Sequence, residues 1–135
     1  MKTTVTHTVR SYECDSYSHV NNAVYLNYLE YARTEFMRDI GFDYNACVKA
    51  GFYLYVTHID IYYKISAFLD DVLTIETEPL KTGAVSGTFK QTIKKQDGSV
   101  CAEAQVSWAS VNAKTQRPSK IPEEFMVPGL YPETK

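Results

Sequence analysis

Residues 14–22, Cys-Asp-Ser-Tyr-Ser-His-Val-Asn-Asn, are the part of this chain best suited to chemistry. Asp15 stands seven residues before Asn22, where a helical pattern of apolar residues begins. The first N–H groups of a helix are unpaired and lie at the positive end of its dipole, so they can stabilise an oxyanion. A carboxylate beside such donors can attack a carbonyl or deprotonate a water, which is the chemistry that thioester hydrolysis needs.

Simpler interpretations of the same residues remain open. Asp15 is a common turn former, and Asn21 and Asn22 are helix-capping residues first. His19 is a candidate general base, but a histidine near a helix start often has a structural role. Cys14 is a candidate nucleophile, although strand alternation predicts that it points away from Asp15 as a small apolar side chain.

A strand is predicted before this segment and a long helix after it. Residues 3–12 are rich in Thr, Val and Tyr, which is typical of a strand. From Asn22 to about Ile40, apolar residues recur at spacings of three and four, which predicts one apolar helix face. That face is formed by Tyr25, Leu29, Ala32, Phe36 and Ile40. Gly41 is placed to end the helix, and Asp43 to cap a short second helix over residues 44–50.

The remainder of the chain predicts β-structure. Residues 52–65, 71–78 and 85–95 alternate or are rich in β-branched and aromatic residues, and Asp97-Gly98 is a hairpin turn. The alternation puts Leu73, Ile75 and Thr77 on one strand face, and in the next strand it runs through Val85, Gly87, Phe89, Gln91 and Ile93. After this turn an apolar row at period two runs through Val100, Ala102, Ala104, Val106 and Trp108. Helix and sheet each have one apolar face, so packing them together predicts an α+β protein. We expect a single domain over residues 1–135, with 120–135 as a Pro-rich C-terminal tail.

Composition excludes several classes of function. The formal net charge is −2, from 14 basic and 16 acidic residues, which predicts no nucleic-acid partner. The three cysteines have no metal-ligand spacing, so we expect neither a zinc site nor a disulfide framework. No apolar run is long enough for a signal peptide or a membrane span. A cytoplasmic protein without membrane attachment is therefore expected.

Three motifs in one register resemble a known family. They are Val9-Arg10-Ser11-Tyr12 with Asp15 and the run from His19 to Arg33, then residues 61–75, then Asn112 to Pro118. Together they are similar to the 4-hydroxybenzoyl-CoA thioesterase-like hotdog family. The run His-Val-Asn-Asn-x-x-Tyr-Leu most resembles the bacterial long-chain acyl-CoA thioesterases of fatty-acid degradation.

The resemblance implies a hotdog fold, in which an antiparallel sheet of about five strands wraps a long central helix. It implies a homodimer or homotetramer that hydrolyses acyl-CoA, or an acyl carrier protein thioester, without a cofactor or metal. Asp15 would be the nucleophile or general base, and the backbone N–H of Asn22 would polarise the carbonyl. Tyr25 would line the pocket, while His19 and Asn21 would orient the loop.

Two departures from the family pattern bear on the substrate. Members that act on aromatic substrates have an Asp-x-Ala-Gly loop, whereas this chain has Asp15-Ser16-Tyr17-Ser18. Their basic cluster for CoA phosphates corresponds here to residues 80–87, which contain a single lysine. Phosphate contacts are therefore assigned to Lys64, Lys81 or Lys90, and an acyl carrier protein remains an alternative donor.

Two other functions fit the same fold. A hotdog hydratase or dehydratase needs an acid and a base close together, and Asp15 and His19 are four residues apart. A non-catalytic acyl-binding module is the other alternative, because a fold does not by itself imply activity.

Overall fold

The computed structural model describes residues 2–133, so Met1, Thr134 and Lys135 of the predicted single domain lie outside the described part of the chain. Within that part, the main elements are β1 (Thr3–Thr8), α1 (Val24–Asp39), α2 (Tyr44–Lys49), β2 (Phe52–Tyr63), β3 (Val72–Thr82), β4 (Ser86–Lys94) and β5 (Val100–Asn112). This order of strand, two helices and four strands confirms the predicted α+β class. No helix among these residues is long and apolar enough to cross a membrane.

The five strands form one antiparallel sheet in the order β1-β3-β4-β5-β2. Strands β4 and β5 are joined at Asp97-Gly98, where Gly98 has a φ of +86°, which confirms the predicted hairpin. Strands β1 and β2 lie at the two edges of the sheet.

Period-two alternation places one face of the sheet against α1. Most of the predicted inward residues of β3, β4 and β5 are buried: Leu73, Ile75, Thr77, Phe89, Gln91, Ile93, Ala102, Ala104, Val106 and Trp108. Val85 and Val100, at the predicted starts of two of these rows, are only half-buried. On α1 the predicted face is buried at Tyr25, Leu29, Ala32 and Phe36, with Tyr28 added to it. Burial of these two apolar faces is the main stabilising term of the fold.

One polar side chain in this core fixes the position of the helix. Gln91 is fully buried, and its Nε2 donates to the carbonyl of Leu29 at 3.0 Å and to Thr77 Oγ1 at 2.9 Å. Its Oε1 accepts from Arg33 Nη1 at 3.1 Å. A buried amide is tolerated only when its polar atoms are paired, so these bonds favour a single placement of α1 over β3 and β4.

The C-terminal residues pack onto the core. Ile121 and Leu130 are buried, and a 3₁₀ turn lies at Glu123–Phe125. The N–H of Ile121 donates to the carbonyl of Ala84 at 2.9 Å, and Thr82 Oγ1 donates to that of Leu130 at 2.6 Å. The Pro-rich segment thus closes the sheet at the end of α1 that is farther from the Asp15 loop.

Several predicted boundaries were wrong by a few residues. Strand β3 extends to Thr82 and not to residue 78, and β2 ends at Tyr63 and not at residue 65. Strand β1 ends at Thr8 and not at residue 12, because Ser11–Glu13 forms a 3₁₀ turn. Helix α1 begins at Val24 and not at Asn22. The reason is a capping turn before it, in which Asn21 Oδ1 accepts the Ala23 N–H at 2.9 Å and Asn21 O accepts the Val24 N–H at 2.9 Å.

Candidate active site

Residues 14–20 form a narrow hairpin between the 3₁₀ turn and α1. Cys14 and Val20 pair as an antiparallel bridge, and the N–H of Asp15 donates to the carbonyl of His19 at 2.8 Å. The N–H of Ser18 returns to the carbonyl of Asp15 at 3.0 Å. Ser18 has a φ of +67°, a left-handed conformation that favours glycine, and the resembled loop has glycine at this position. A serine thus adopts, at the close of this turn, a conformation that glycine adopts at less cost.

The carboxylate of Asp15 lies on the surface of this hairpin. Its Oδ1 accepts the N–H of Tyr17 at 2.9 Å, so Asp15 is a turn former, as its residue type predicted. Oδ2 has no hydrogen-bond partner among residues 2–133. One oxygen thus orients the side chain, and the other remains accessible for reaction.

The hairpin leads directly to the start of α1. Among residues 2–133, no hydrogen bond uses the N–H of Asn22, which is exposed. The carbonyl of Asn22 accepts the hydroxyl of Tyr63, at the end of β2, at 2.9 Å. The bond from Tyr63 restrains the peptide between Asn22 and Ala23, which directly follows the N–H of Asn22. The loop therefore combines an accessible carboxylate with an unpaired donor at a helix start.

The connection between β2 and β3 holds the other side of the loop. His19 Nδ1 lies 3.1 Å from Ser66 Oγ, and its ring meets that of Phe68 edge-on at 4.9 Å. Tyr25 is buried, and its hydroxyl oxygen accepts the N–H of Ala67 at 3.1 Å. Burial raises the pKa of Tyr25, so its phenol stays protonated at neutral pH. In the described part of the chain, the His19 side chain is bonded to Ser66 and not to Asp15.

Two of the three lysines assigned to phosphate contacts, Lys64 and Lys81, lie far apart. Lys64 directly follows Tyr63, is exposed, and pairs with Glu103 at 3.4 Å. Lys81 lies near the end of β3, ten residues beyond Asp71, which itself hydrogen-bonds Val9 next to the loop. Ten strand residues span about 33 Å. The structure therefore brings Lys64 close to the start of α1 and leaves Lys81 at the opposite end of the sheet.

The cysteines near this loop are poorly suited to act as nucleophiles. Burial raises the pKa of the Cys14 thiol, and the carboxylates of Glu13, Asp15 and Asp70 raise it further, which disfavours the thiolate. Cys101 is fully buried, and burial raises its pKa to about 11. No cluster of three or more potential metal ligands occurs in residues 2–133.

Sequence reasoning missed the acidic residue at the base of the hairpin. Glu13 was not among the predicted site residues, yet the residue is only 9% exposed and its side chain bonds to His7, Arg10 and Tyr28. Its position three residues after Arg10, where it accepts the N–H at the start of a helical turn, resembles a capping box. This spacing was the only signal in the neighbouring sequence that Glu13 has a structural role, because its other two partners come from β1 and α1.

A cavity of about 470 Å³ lies farther along α1. Its floor is apolar, with Leu54, Val56, Phe89, Val106 and Trp108, and its rim on α1 includes Glu30 and Arg33. The volume is within the range of about 300–1,000 Å³ that is usual for ligand pockets. None of the residues assigned to the catalytic loop lines it, so the cavity and the loop are separate features along one helix.

Comparison with known proteins identifies the family. Residues 9–128 match the model of the thioesterase-like superfamily. The chain is 35% identical over 111 residues to the long-chain acyl-CoA thioesterase FadM of Escherichia coli, covering 81% of this chain and 83% of FadM. It is 43% identical over 53 residues to the acyl-acyl carrier protein thioesterase ATL2 of Arabidopsis thaliana, but these are 39% of this chain and 28% of ATL2.

Solved structures share the fold. A DHNA-CoA thioesterase from Staphylococcus aureus superposes with a TM-score of 0.86 at 21% identity, covering 93% of this chain and 84% of that one. The order of the strands and the packing of one long helix against one face of the sheet both fit the fold of these structures. The family match leads to the same assignment. This chain belongs to the thioesterase-like superfamily of thioester hydrolases and has the hotdog fold.

Proposed function

We propose that this protein hydrolyses fatty or related acyl-CoA thioesters, with Asp15 as the catalytic carboxylate. The observation that carries the proposal is the exposed Asp15 carboxylate on a hairpin that runs directly into the unpaired N–H of Asn22. Asn22 precedes α1, whose dipole favours negative charge at this end. The N–H is thus placed to stabilise the oxyanion that forms when the thioester carbonyl is attacked.

Two routes use these groups. As nucleophile, Asp15 attacks the carbonyl carbon, the C–S bond breaks, and the leaving thiolate takes a proton from water. A second water then hydrolyses the acyl–aspartyl anhydride and restores the carboxylate. As general base, Asp15 removes a proton from water while the water oxygen attacks the carbon, and the proton passes to the leaving sulfur. In both routes the Asn22 N–H binds the same oxygen.

The remaining assigned residues support this site in other ways. Tyr25 forms an apolar wall beneath the start of α1, while His19 and Asn21 orient the hairpin through Ser66 and the Ala23 N–H. Lys64 is proposed to contact CoA phosphates, because it is exposed beside the start of the helix. Lys81 could contribute to such contacts only in a site completed by another copy of the chain, given its distance from Asp15.

The substrate class is supported by two observations. The relatives are named for long-chain acyl-CoA and for acyl carrier protein thioesters. The apolar floor of the cavity along α1 suits an alkyl chain better than a polar group. We therefore place fatty acyl-CoA first and the carrier-protein thioester second.

We also propose that the protein is a homodimer or homotetramer. Strand β2 is an edge strand of 12 residues, and it exposes Tyr55, Val56, Tyr62 and Tyr63. A long exposed apolar edge favours pairing with another strand. Light scattering coupled to gel filtration tests this, and a monomer at micromolar concentration would contradict it.

The deciding experiment is thiol release from a panel of acyl-CoAs of increasing chain length, with wild type beside Asp15→Asn. We expect wild-type turnover and a loss of about 100-fold or more in kcat for the variant, as for removal of a catalytic acid–base group. Asp39→Asn is the matched control, because Asp39 is exposed at the opposite end of α1, and it should retain wild-type kcat.

The alternatives are tested by adding acyl carrier protein thioesters and an enoyl-CoA to this panel and by measuring acyl-CoA binding. Turnover of acyl carrier protein thioesters alone would support the same hydrolysis but would show that the carrier protein, and not CoA, supplies the acyl group. Formation of 3-hydroxyacyl-CoA from an enoyl-CoA without thiol release would identify a hydratase. Tight acyl-CoA binding with neither product would identify a binding module, and the last two results would overturn the proposal.

A further inference from the structure

Glu13 is a buried carboxylate that the proposed chemistry does not use. Its Oε1 accepts the N–H of Arg10 at 2.7 Å and the hydroxyl of Tyr28 at 3.0 Å. His7 Nε2 lies 3.0 Å from each of its two oxygens. An ionised carboxylate only accepts hydrogen bonds, so His7 carries its proton on Nε2. Buried charge is tolerated when it is paired in this way.

These contacts join three parts of the fold at one side chain. His7 belongs to β1, Tyr28 to the buried face of α1, and Arg10 to the turn that precedes the hairpin. The ring of His7 also lies 5.0 Å from that of Tyr28. The base of the hairpin is therefore attached to both the edge strand and the central helix through Glu13.

A backbone hydrogen bond of Glu13 also connects these contacts to the residues that carry the catalytic groups. Its carbonyl accepts the N–H of Asn21 at 2.9 Å, across the base of the hairpin. Asp15 follows two residues after Glu13 on one arm, and Asn22 follows Asn21 on the other. A rotation of Glu13 would therefore shift the carboxylate of Asp15 relative to the N–H of Asn22.

We propose that Glu13 is a positioning residue, which holds the Asp15 carboxylate and the Asn22 N–H in their reactive arrangement without touching the substrate. This inference rests on the proposed function of Asp15 and Asn22. Reaction rates are sensitive to such placement, and a shift of about 1 Å can cost about 100-fold in rate.

The test compares Glu13→Ala and Glu13→Gln with wild type. Glutamine keeps the Oε1 acceptor for Arg10 and Tyr28, so it should recover part of the activity that alanine loses. We expect kcat to fall about 10- to 100-fold in Glu13→Ala and about three- to tenfold in Glu13→Gln, with KM within about twofold of wild type. Tyr28→Phe removes one donor to Glu13 and should give a smaller loss of the same kind.

Glu76→Gln is the matched control. Glu76 is a half-buried carboxylate on β3 that pairs with Lys2 and Lys94, each at 3.2 Å, and these contacts lie outside the hairpin. It should keep wild-type kcat even if it loses stability. Unchanged kcat in folded Glu13→Ala, or an equal loss of kcat in Glu76→Gln, would overturn the positioning role. If Glu13→Ala does not fold, Glu13→Gln and Tyr28→Phe decide the question in the same way.

A second readout separates this inference from the proposed function. Amide hydrogen exchange at Asn21 and Asp15 reports the hairpin bonds directly and does not depend on turnover. Faster exchange at these two amides in Glu13→Gln, with unchanged exchange in α1, supports the positioning role even if no acyl-CoA is hydrolysed. Exchange equal to wild type at both amides contradicts it. Absence of wild-type turnover on the whole panel contradicts the proposed function alone.

Discussion

The two ends of α1 are built in opposite ways. At its start, the hairpin of residues 14–20 is exposed. Hydrogen bonds hold it in place: Glu13 accepts from Asn21, Ser66 pairs with His19, and Tyr63 donates to Asn22. At its end, an apolar cluster around Phe36 and Trp108 is closed by the C-terminal residues Ile121 and Leu130. The Trp108 ring lies so close to the backbone of β4 that a Cβ at Gly87 would be 2.6 Å from it.

This contrast follows from what each end must do. A reacting carboxylate has to reach solvent and substrate, so packing cannot immobilise it, and directional hydrogen bonds hold its loop instead. The other end has no such requirement and can be stabilised by close packing alone. Changes at the start of α1 should therefore affect rate and pH dependence, whereas changes at its end should affect stability.

The largest expected effect is Phe36→Ala. Phe36 is fully buried and meets Phe89 edge-on at 5.3 Å, so truncation should lower the free energy of unfolding by about 3–5 kcal/mol. Urea unfolding followed by circular dichroism measures it. Phe36→Leu retains most of the apolar volume and should lose clearly less. A fall in kcat of the folded Phe36→Leu variant comparable to that of Asp15→Asn would remove the distinction between the two ends.

A smaller effect on stability is expected when the pH is lowered, and it comes from Glu13 at the base of the hairpin. Burial raises the pKa of Glu13, but hydrogen bonds from Arg10, His7 and Tyr28 outweigh it, and the net pKa lies below its ordinary value of 4.5. A lowered folded-state pKa stabilises the protein above pH 4.5, and that stabilisation is lost as the pH falls through the folded-state pKa.

The unfolding free energies of wild type and Glu13→Gln, compared from pH 7 down to pH 3, measure this contribution. The difference in unfolding free energy between the two proteins should be constant above about pH 5.5 and should become smaller below pH 4.5. The corresponding difference for Phe36→Leu should not change with pH, because no charge is involved. A Glu13→Gln difference that is independent of pH would show that the folded-state pKa is not lowered.

The smallest expected effect is Tyr63→Phe. This change removes the hydrogen bond from the Tyr63 hydroxyl to the carbonyl of Asn22, and it should cost about 0.5–1 kcal/mol of stability because the side chain is half exposed. We also expect kcat to fall a few-fold, because the peptide between Asn22 and Ala23 becomes less restrained at the start of the helix. Tyr62→Phe is the control, since Tyr62 is more exposed and its hydroxyl has no hydrogen-bond partner within residues 2–133. Equal losses in both variants would contradict the role of Tyr63.

Much of the fold could be predicted from local patterns. The alternation of Leu73, Ile75 and Thr77 and the helical spacing of Leu29, Ala32 and Phe36 identified buried faces correctly. The start of α1 was less well predicted, because the Asn21 side chain forms a capping turn that delays the helix to Val24. Patterns of burial repeat along a strand or helix, whereas a cap depends on the conformation of one side chain.

The amino-acid sequence by itself determined the order of elements, the inward faces of helix and strands, and the loop in which Asp15 precedes a helix start. Only the tertiary structure decided which polar groups hold that loop. The partners of Glu13, Asn22 and His19 lie 15, 41 and 47 residues away along the chain, at Tyr28, Tyr63 and Ser66. Periodicity reports which face of an element is buried, but it does not report which residues of two distant elements meet. That depends on how the helix and the strands are placed against each other, and this placement is settled by packing of the whole core.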